Sequence, residues 1–93
     1  MLIRYKAAIN QNEIVAYLFA TIKNSTGEID SIFVKNEYRK KEIGKKLVYQ
    51  TIEWMKKQNV SQIVVGVAEG NESAFPFYER LGFKKNMTML KLV

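Results

Sequence analysis

The feature that most constrains this chain is a change of hydrophobic period between Val34 and Ile43. Apolar residues before Val34 follow the two-residue period of a strand, and those after Ile43 follow the 3.6-residue period of an amphipathic helix. Residues 60–68 then form a second apolar run that is typical of a buried strand. This order predicts a right-handed crossover between parallel neighbours. The connection after Val34 therefore lies at the carboxyl end of a strand, where open α/β sheets bind ligands.

That connection is strongly basic. A helix is predicted to begin near Glu42, and the first backbone N–H groups of a helix lack partners and attract anions. Gly44 would let a ligand approach the backbone closely. The flanking basic residues are Arg39, Lys40, Lys41, Lys45 and Lys46. The loop predicts a site for a phosphate-bearing ligand, although a solvated surface turn would have the same composition.

The rest of the chain supplies a sheet around this crossover. Residues 2–9, 13–22 and 28–34 are rich in strand formers and are separated by turn residues at 10–12 and 24–27, which predicts an antiparallel meander. A short helix is predicted from about residue 73 to 81, with Asn71 or Ser73 as its cap, Pro76 in its first turn and Gly82 at its end. A last strand is predicted over residues 87–93.

Composition limits the chemistry. The 93 residues are enough for one domain, 1–93, and 47% of them are hydrophobic. The chain has no cysteine and no histidine, which excludes disulfides, the usual zinc sites and Ser-His or Cys-His catalysis. Tyrosine, carboxylates and backbone groups remain. The net charge of +6 indicates an anionic partner. We expect a cytoplasmic protein without membrane contact, since no apolar run or signal-peptide pattern stands out.

Two segments resemble the motifs of one enzyme superfamily, the GNAT N-acetyltransferases. Residues 39–44 are similar to its pyrophosphate-binding motif, with Arg39 at the first position and Gly44 at the last. Residues 71–83 are similar to its second motif, which has an Asn, then an Ala, then Tyr78 and the sequence Glu-Arg-Leu-Gly-Phe. The two motifs occur in the family's order, with a predicted strand between them. The resemblance implies an α/β GNAT-like mixed sheet.

The resemblance also implies a function and a set of site residues. The function is transfer of an acetyl group from acetyl-CoA to a primary amine by direct attack, with no metal. Tyr78 corresponds to the general acid that protonates the departing thiolate, and Asn71 to a contact with the cofactor's arm. The backbone of Ile32, Phe33 and Val34 would pair with the pantetheine arm, and the pyrophosphate would be held at Arg39, Lys40, Lys41, Glu42, Ile43, Gly44 and Lys45.

Three departures from the family pattern affect the details. Glu42 stands where the motif usually has a glycine. Gly66 stands where protein N-terminal acetyltransferases carry a glutamate base, which argues against that subtype. Glu28 matches the position of the base in histone-type acetyltransferases, with Asp30 an equally available carboxylate. The third departure is that the chain begins at the family's second strand, which leaves open a minimal form, a fragment or a homodimer that completes the sheet.

Two other functions remain open from the sequence. A non-catalytic acyl-CoA-binding or interaction module is favoured by the missing N-terminal elements and by Glu42. A nucleic-acid-binding protein is suggested by the positive charge, but the chain lacks the interleaved aromatic and basic residues of an RNA-binding sheet. The acceptor amine is not indicated by any residue.

Overall fold

The computed structural model describes a four-stranded sheet with two helices, over residues 1–39, 42–66 and 74–84 together with Leu92. The elements are β1 (Leu2–Asn10), β2 (Glu13–Lys23), β3 (Thr26–Val34), a 3₁₀ turn (Asn36–Tyr38), α1 (Ile43–Lys57), β4 (Gln62–Val65) and α2 (Phe75–Arg80). The strand order is β1-β2-β3-β4, in which β1, β2 and β3 are antiparallel and β4 is parallel to β3. The predicted meander and the β-α-β connection between parallel neighbours are both confirmed.

Tight turns join the strands of the meander. Gln11 and Asn12 connect β1 to β2, and Asn24 and Ser25 connect β2 to β3, with φ angles of 52° to 65° at all four residues. Two-residue turns with positive φ match the right-handed twist of the paired strands. Because the second turn needs only two residues, β3 begins at Thr26, earlier than the sequence predicts.

The core lies between α1 and one face of the sheet. Leu47, Val48 and Met55 are buried, and the hydroxyl of buried Thr51 donates a hydrogen bond to the Leu47 carbonyl at 2.9 Å. They pack against the inward side chains of β2, which are Ala16, Leu18, Ala20 and Ile22. The predicted apolar face of the helix is therefore confirmed. Neither helix of the described ranges has the length and apolar character needed to cross a membrane.

Aromatic and cationic side chains fill the remaining surfaces of the meander. On the face away from α1, Tyr17 stacks between Tyr5 and Phe33, with ring centroids 5.9 and 5.6 Å away. On the α1 side, the guanidinium carbon of Arg4 lies 5.4 Å from the ring centroid of Trp54. The first contact joins the three strands side by side, and the second ties β1 to the helix.

The later elements are shorter than predicted. Strand β4 begins at Gln62, because the backbone N–H groups of the two residues before it form hydrogen bonds outside the ladder between β3 and β4. Ser61 N–H donates to the Ser25 carbonyl at 2.7 Å, and Val60 N–H donates to the Met55 carbonyl at 3.5 Å. The second helix begins at Phe75, with Pro76 in its first turn, where a missing N–H costs nothing. Gly82 has φ of 101°, as expected for a glycine after a helix end. The proposed caps, Asn71 and Ser73, and the predicted strand over 87–93 apart from Leu92 lie outside the described residues.

Candidate active site

The sheet opens where β3 continues past its partner. Parallel pairing ends at Ile29 and Val65, whereas β3 runs on to Val34. Asp30 forms a bulge at this point, because Phe19 pairs with Ser31 while Ala20 pairs with Ile29. A bulge bends a strand and increases its twist. Within the described ranges, the outer edge of the last part of β3 therefore has no strand beside it.

A cleft of about 750 Å3 lies along this part of β3, between the start of α1 and the side of α2. Its walls are mainly apolar, and its charged groups include three basic side chains. The lining residues are Ile32, Phe33, Val34, Arg39, Glu42, Gly44, Lys45, Ala74, Phe77, Tyr78, Arg80 and Leu81. Concave, largely apolar sites with a few convergent polar groups are typical of ligand binding.

Two of the basic side chains, Arg39 and Lys45, stand where the cleft meets the start of α1. Arg39 donates from Nε to the Val34 carbonyl at 3.0 Å, which holds its guanidinium at the end of β3. The guanidinium has further N–H groups for an anionic oxygen. Lys45 lies in the first turn of α1, and Arg80 extends from α2. Together with the backbone N–H groups of the helix start, they outnumber the carboxylate of Glu42, which also lines the cleft, and they favour an anion such as a phosphate.

The structure gives Gly44 a packing role beside the predicted close approach of a ligand, which stays a prediction. A Cβ at this position would lie 3.3 Å from Cγ2 of Val34 and 3.5 Å from Cζ of Phe77. These side chains already occupy the space beside the glycine. Gly44 therefore lets α1 and α2 close against the end of β3, and it shapes the cleft in this way.

Tyr78 brings a phenol to the cleft from α2. The residue is 8% exposed, and its ring meets Phe77 and Phe83 edge-on at centroid distances of 5.2 and 5.9 Å. Burial raises the pKa of Tyr78 above its ordinary value, because the phenolate is poorly solvated there. Among the described residues, its hydroxyl has no hydrogen-bond partner. Tyr78 is therefore a protonated donor at neutral pH.

The raised pKa predicts a change in stability at high pH. The unfolded chain ionises Tyr78 near the ordinary tyrosine pKa of 10.0, whereas the folded protein ionises it at a higher pH. Stability is thus unaffected below about pH 10 and falls as the pH rises through the interval between the two values. We expect the free energy of unfolding of the wild type to fall relative to that of Tyr78→Phe as the pH rises above about 10. Urea denaturation checks this, and equal pH dependence in both proteins would contradict it.

The cleft gathers most, but not all, of the residues predicted from the sequence. Ile43 packs against the hydrophobic core and does not line the cleft. Lys40, Lys41 and Asn71 lie outside the described residues. The predicted residues found together are Ile32, Phe33, Val34, Arg39, Glu42, Gly44, Lys45 and Tyr78.

The candidate base lies outside the cleft. Glu28 lines a separate recess of about 370 Å3 with Thr21 and Lys23. Its Oε2 would be 3.7 Å from a Cβ at Gly66, so the carboxylate stands just beyond the end of β4. The alternative carboxylate, Asp30, accepts a hydrogen bond from Thr21 Oγ1 at 3.0 Å. In the part of the chain that the structure describes, no group of three or more Asp and Glu residues could hold a metal ion.

Four lining residues of α2 and its flanks were not singled out from the sequence. Ala74, Phe77 and Leu81 share one helical face with Tyr78, and Arg80 lies at the rim. Their spacing of i, i+3, i+4 and i+7 is the apolar stripe of an amphipathic helix. That stripe could have identified the wall of the cleft, since the two residues between Tyr78 and Leu81 are charged.

Comparisons with known proteins agree with this architecture. The model of the acetyltransferase (GNAT) family matches residues 2–83. An uncharacterized N-acetyltransferase of Methanocaldococcus jannaschii is 36% identical over 63 residues, and a spermidine N(1)-acetyltransferase of Thermoplasma acidophilum is 28% identical over 82 residues. The matches cover 68% and 88% of this chain. They cover 28% and 51% of the relatives, so the chain spans about half or less of the length of either protein.

A solved structure shares the fold. The PaiA N-acetyltransferase of Thermoplasma acidophilum, crystallised in complex with coenzyme A, is 28% identical and superposes with a TM-score of 0.84. The match covers 94% of this chain and 55% of that one. The predicted GNAT-like mixed sheet is therefore confirmed, and with the match over residues 2–83 it shows that this chain belongs to the GNAT acetyltransferase family.

Proposed function

We propose that this domain binds acetyl-CoA in the cleft and transfers the acetyl group to a primary amine. The observation that carries the proposal is the opening of the sheet after Ile29 and Val65, which leaves the last part of β3 beside the cleft. Ile32, Phe33 and Val34 would pair with the pantetheine arm through their backbone. The coenzyme A complex of the Thermoplasma relative supports this choice of ligand.

The phosphates belong at the basic end of the cleft in this proposal. Arg39 is held there by the Val34 carbonyl and would bind a phosphate oxygen through its remaining N–H groups. Lys45 and the N-terminus of α1 add to the attraction. Lys40, Lys41, Ile43 and Asn71 keep their predicted contacts with the cofactor as parts of the proposal.

Chemistry would take place at the Tyr78 end. The amine nitrogen attacks the thioester carbonyl, an N–C bond forms, and the C–S bond breaks. The departing thiolate takes the phenolic proton of Tyr78, and the ammonium formed by the attack loses a proton. Glu28 is the proposed acceptor of that proton, and because it lies outside the cleft the proton would reach it through water.

The acceptor is proposed only as a class. A primary amine must be neutral to attack, and the relative named for spermidine makes polyamines the first compounds to test. A panel should also contain a lysine peptide and a peptide with a free N-terminus. A cytoplasmic location and a homodimer that completes the sheet stay predictions, the second of which light scattering checks.

Calorimetric titration with acetyl-CoA tests the binding part of the proposal. We expect saturable binding by the wild type and a dissociation constant about 10–100-fold higher for Arg39→Ala, because a hydrogen bond to a charged group contributes about 1.5–3 kcal/mol. The matched control is Lys57→Ala, which removes the same charge from the exposed far end of α1.

The outcomes separate the proposal from its alternatives. Absence of binding by a folded wild-type protein would overturn the proposal. Equal weakening by Arg39→Ala and Lys57→Ala would indicate general charge attraction and would also contradict the site. Binding without turnover of any amine in the panel would favour the non-catalytic acyl-CoA-binding module.

A further inference from the structure

Glu42 has an unusual backbone conformation for its residue type. It is the N-cap of α1, with φ of 59° and ψ of 17° in the left-handed region. Its carbonyl accepts the first hydrogen bond of the helix, from Lys46 N–H at 3.0 Å. Its side chain makes no capping hydrogen bond. A residue with a Cβ is disfavoured in this conformation and a glycine is not, so the backbone geometry does not explain the presence of a glutamate.

The position of the side chain points to an electrostatic role. Glu42 is exposed and lines the cleft beside Arg39 and Lys45. Among the described lining residues, it is the anionic one, while Arg39, Lys45 and Arg80 are cationic. Its carboxylate therefore stands at the helix end that attracts anions, where it opposes a second anion.

We propose that Glu42 sets the affinity of the cleft for phosphate-bearing ligands by repelling them. This inference rests on the proposed function and names the residue that limits cofactor retention. Acetyl-CoA and the product CoA carry the same phosphates, so the carboxylate weakens both to the same extent. Such uniform weakening shortens the time for which the product occupies the cleft.

Two substitutions separate the charge of Glu42 from its conformation. Glu42→Gln removes the charge and keeps the disfavoured backbone angle, whereas Glu42→Gly removes both. We expect both variants to bind acetyl-CoA and CoA about two- to tenfold more tightly than the wild type, with similar affinities to each other. Only Glu42→Gly should also raise the melting temperature, because only glycine adopts the left-handed backbone conformation at this position without a steric penalty. The matched control is Glu53→Gln, on the exposed side of the same helix and outside the cleft.

Calorimetry at two salt concentrations decides the matter. The difference in affinity between wild type and Glu42→Gln should shrink at about 0.5 M salt, because mobile ions screen exposed charges. Unchanged or weaker binding by Glu42→Gln, with a wild type that binds, would overturn this inference and leave the proposed function intact. The same tightening in Glu53→Gln would also overturn it. A folded wild type and Glu42→Gln that both fail to bind would overturn the proposed function and this inference together.

Discussion

Replacement of Tyr78 by phenylalanine is expected to lower kcat by about 10²–10⁴-fold, the usual contribution of a positioned general acid. The departing thiolate would then have to take its proton from water. The edge-on contacts of the ring with Phe77 and Phe83 do not involve the hydroxyl, so the variant should keep the fold. Steady-state rates with the best amine of the panel, together with the dissociation constant for acetyl-CoA, provide the measurement.

Comparison of kcat with the dissociation constant for acetyl-CoA decides whether Tyr78 acts in the chemical step. We expect the dissociation constant for acetyl-CoA to change less than about threefold, because the phenol acts on the leaving group. The control is Tyr49→Phe, which removes a hydroxyl from an exposed tyrosine of α1 that does not line the cleft. A Tyr78→Phe variant with near wild-type kcat would rule out the acid role, and a loss confined to cofactor binding would assign Tyr78 to positioning.

The second large effect concerns Gly27 in β3. An added Cβ there would lie 2.5 Å from Sδ and 3.1 Å from Cγ of Met55, which is itself fully buried. Gly27→Ala should therefore lower the free energy of unfolding by about 1–3 kcal/mol, the usual cost of overpacking a core. Without that contact, replacing a glycine by alanine would favour folding slightly, since it restricts the unfolded chain. A lower free energy of unfolding in urea denaturation would therefore indicate the contact with Met55, and a slightly higher one would indicate its absence.

Two further variants identify the cause. Gly66→Ala is the control, because among the described residues its Cβ would meet Glu28 Oε2 alone, at an ordinary 3.7 Å. Met55→Ala by itself should cost about 2–5 kcal/mol through the cavity it leaves. The double variant of Gly27 and Met55 should be more stable than the sum of the two single losses predicts. Strict additivity would mean that Met55 does not oppose the Cβ of residue 27.

The sequence predicted the elements whose signals are local and repetitive. The apolar side chains of α1 recur at 3.6-residue spacing, so Leu47, Val48 and Met55 could be placed in the core. The positive-φ turn at Asn24 and Ser25 was predicted as a turn, but its tightness was not. Turn length depends on how two strands twist together, and residue types alone do not fix it.

Some features of the site could be predicted from the sequence and others could not, for a physical reason. Residues of the two motifs, such as Arg39 and Tyr78, are contiguous in sequence with recognisable neighbours, and both line the cleft. The bulge at Asp30 could not be predicted, since a bulge is a property of register between two strands. The occupation of the space beside Gly44 by Val34 and Phe77 depends on the docking of α2, which no local pattern encodes.

The contact between Arg4 and Trp54 gives the protein a built-in optical probe. Trp54 is the single tryptophan of the chain, and it lies ten residues beyond Gly44, about 15 Å along the helix from the cleft. Its indole is covered by a side chain from β1, so its fluorescence emission should change when β1 separates from α1. The emission of one native fluorophore therefore follows unfolding at a distance from the ligand. Stabilisation by a bound cofactor can then be measured from that signal alone, without attaching a dye.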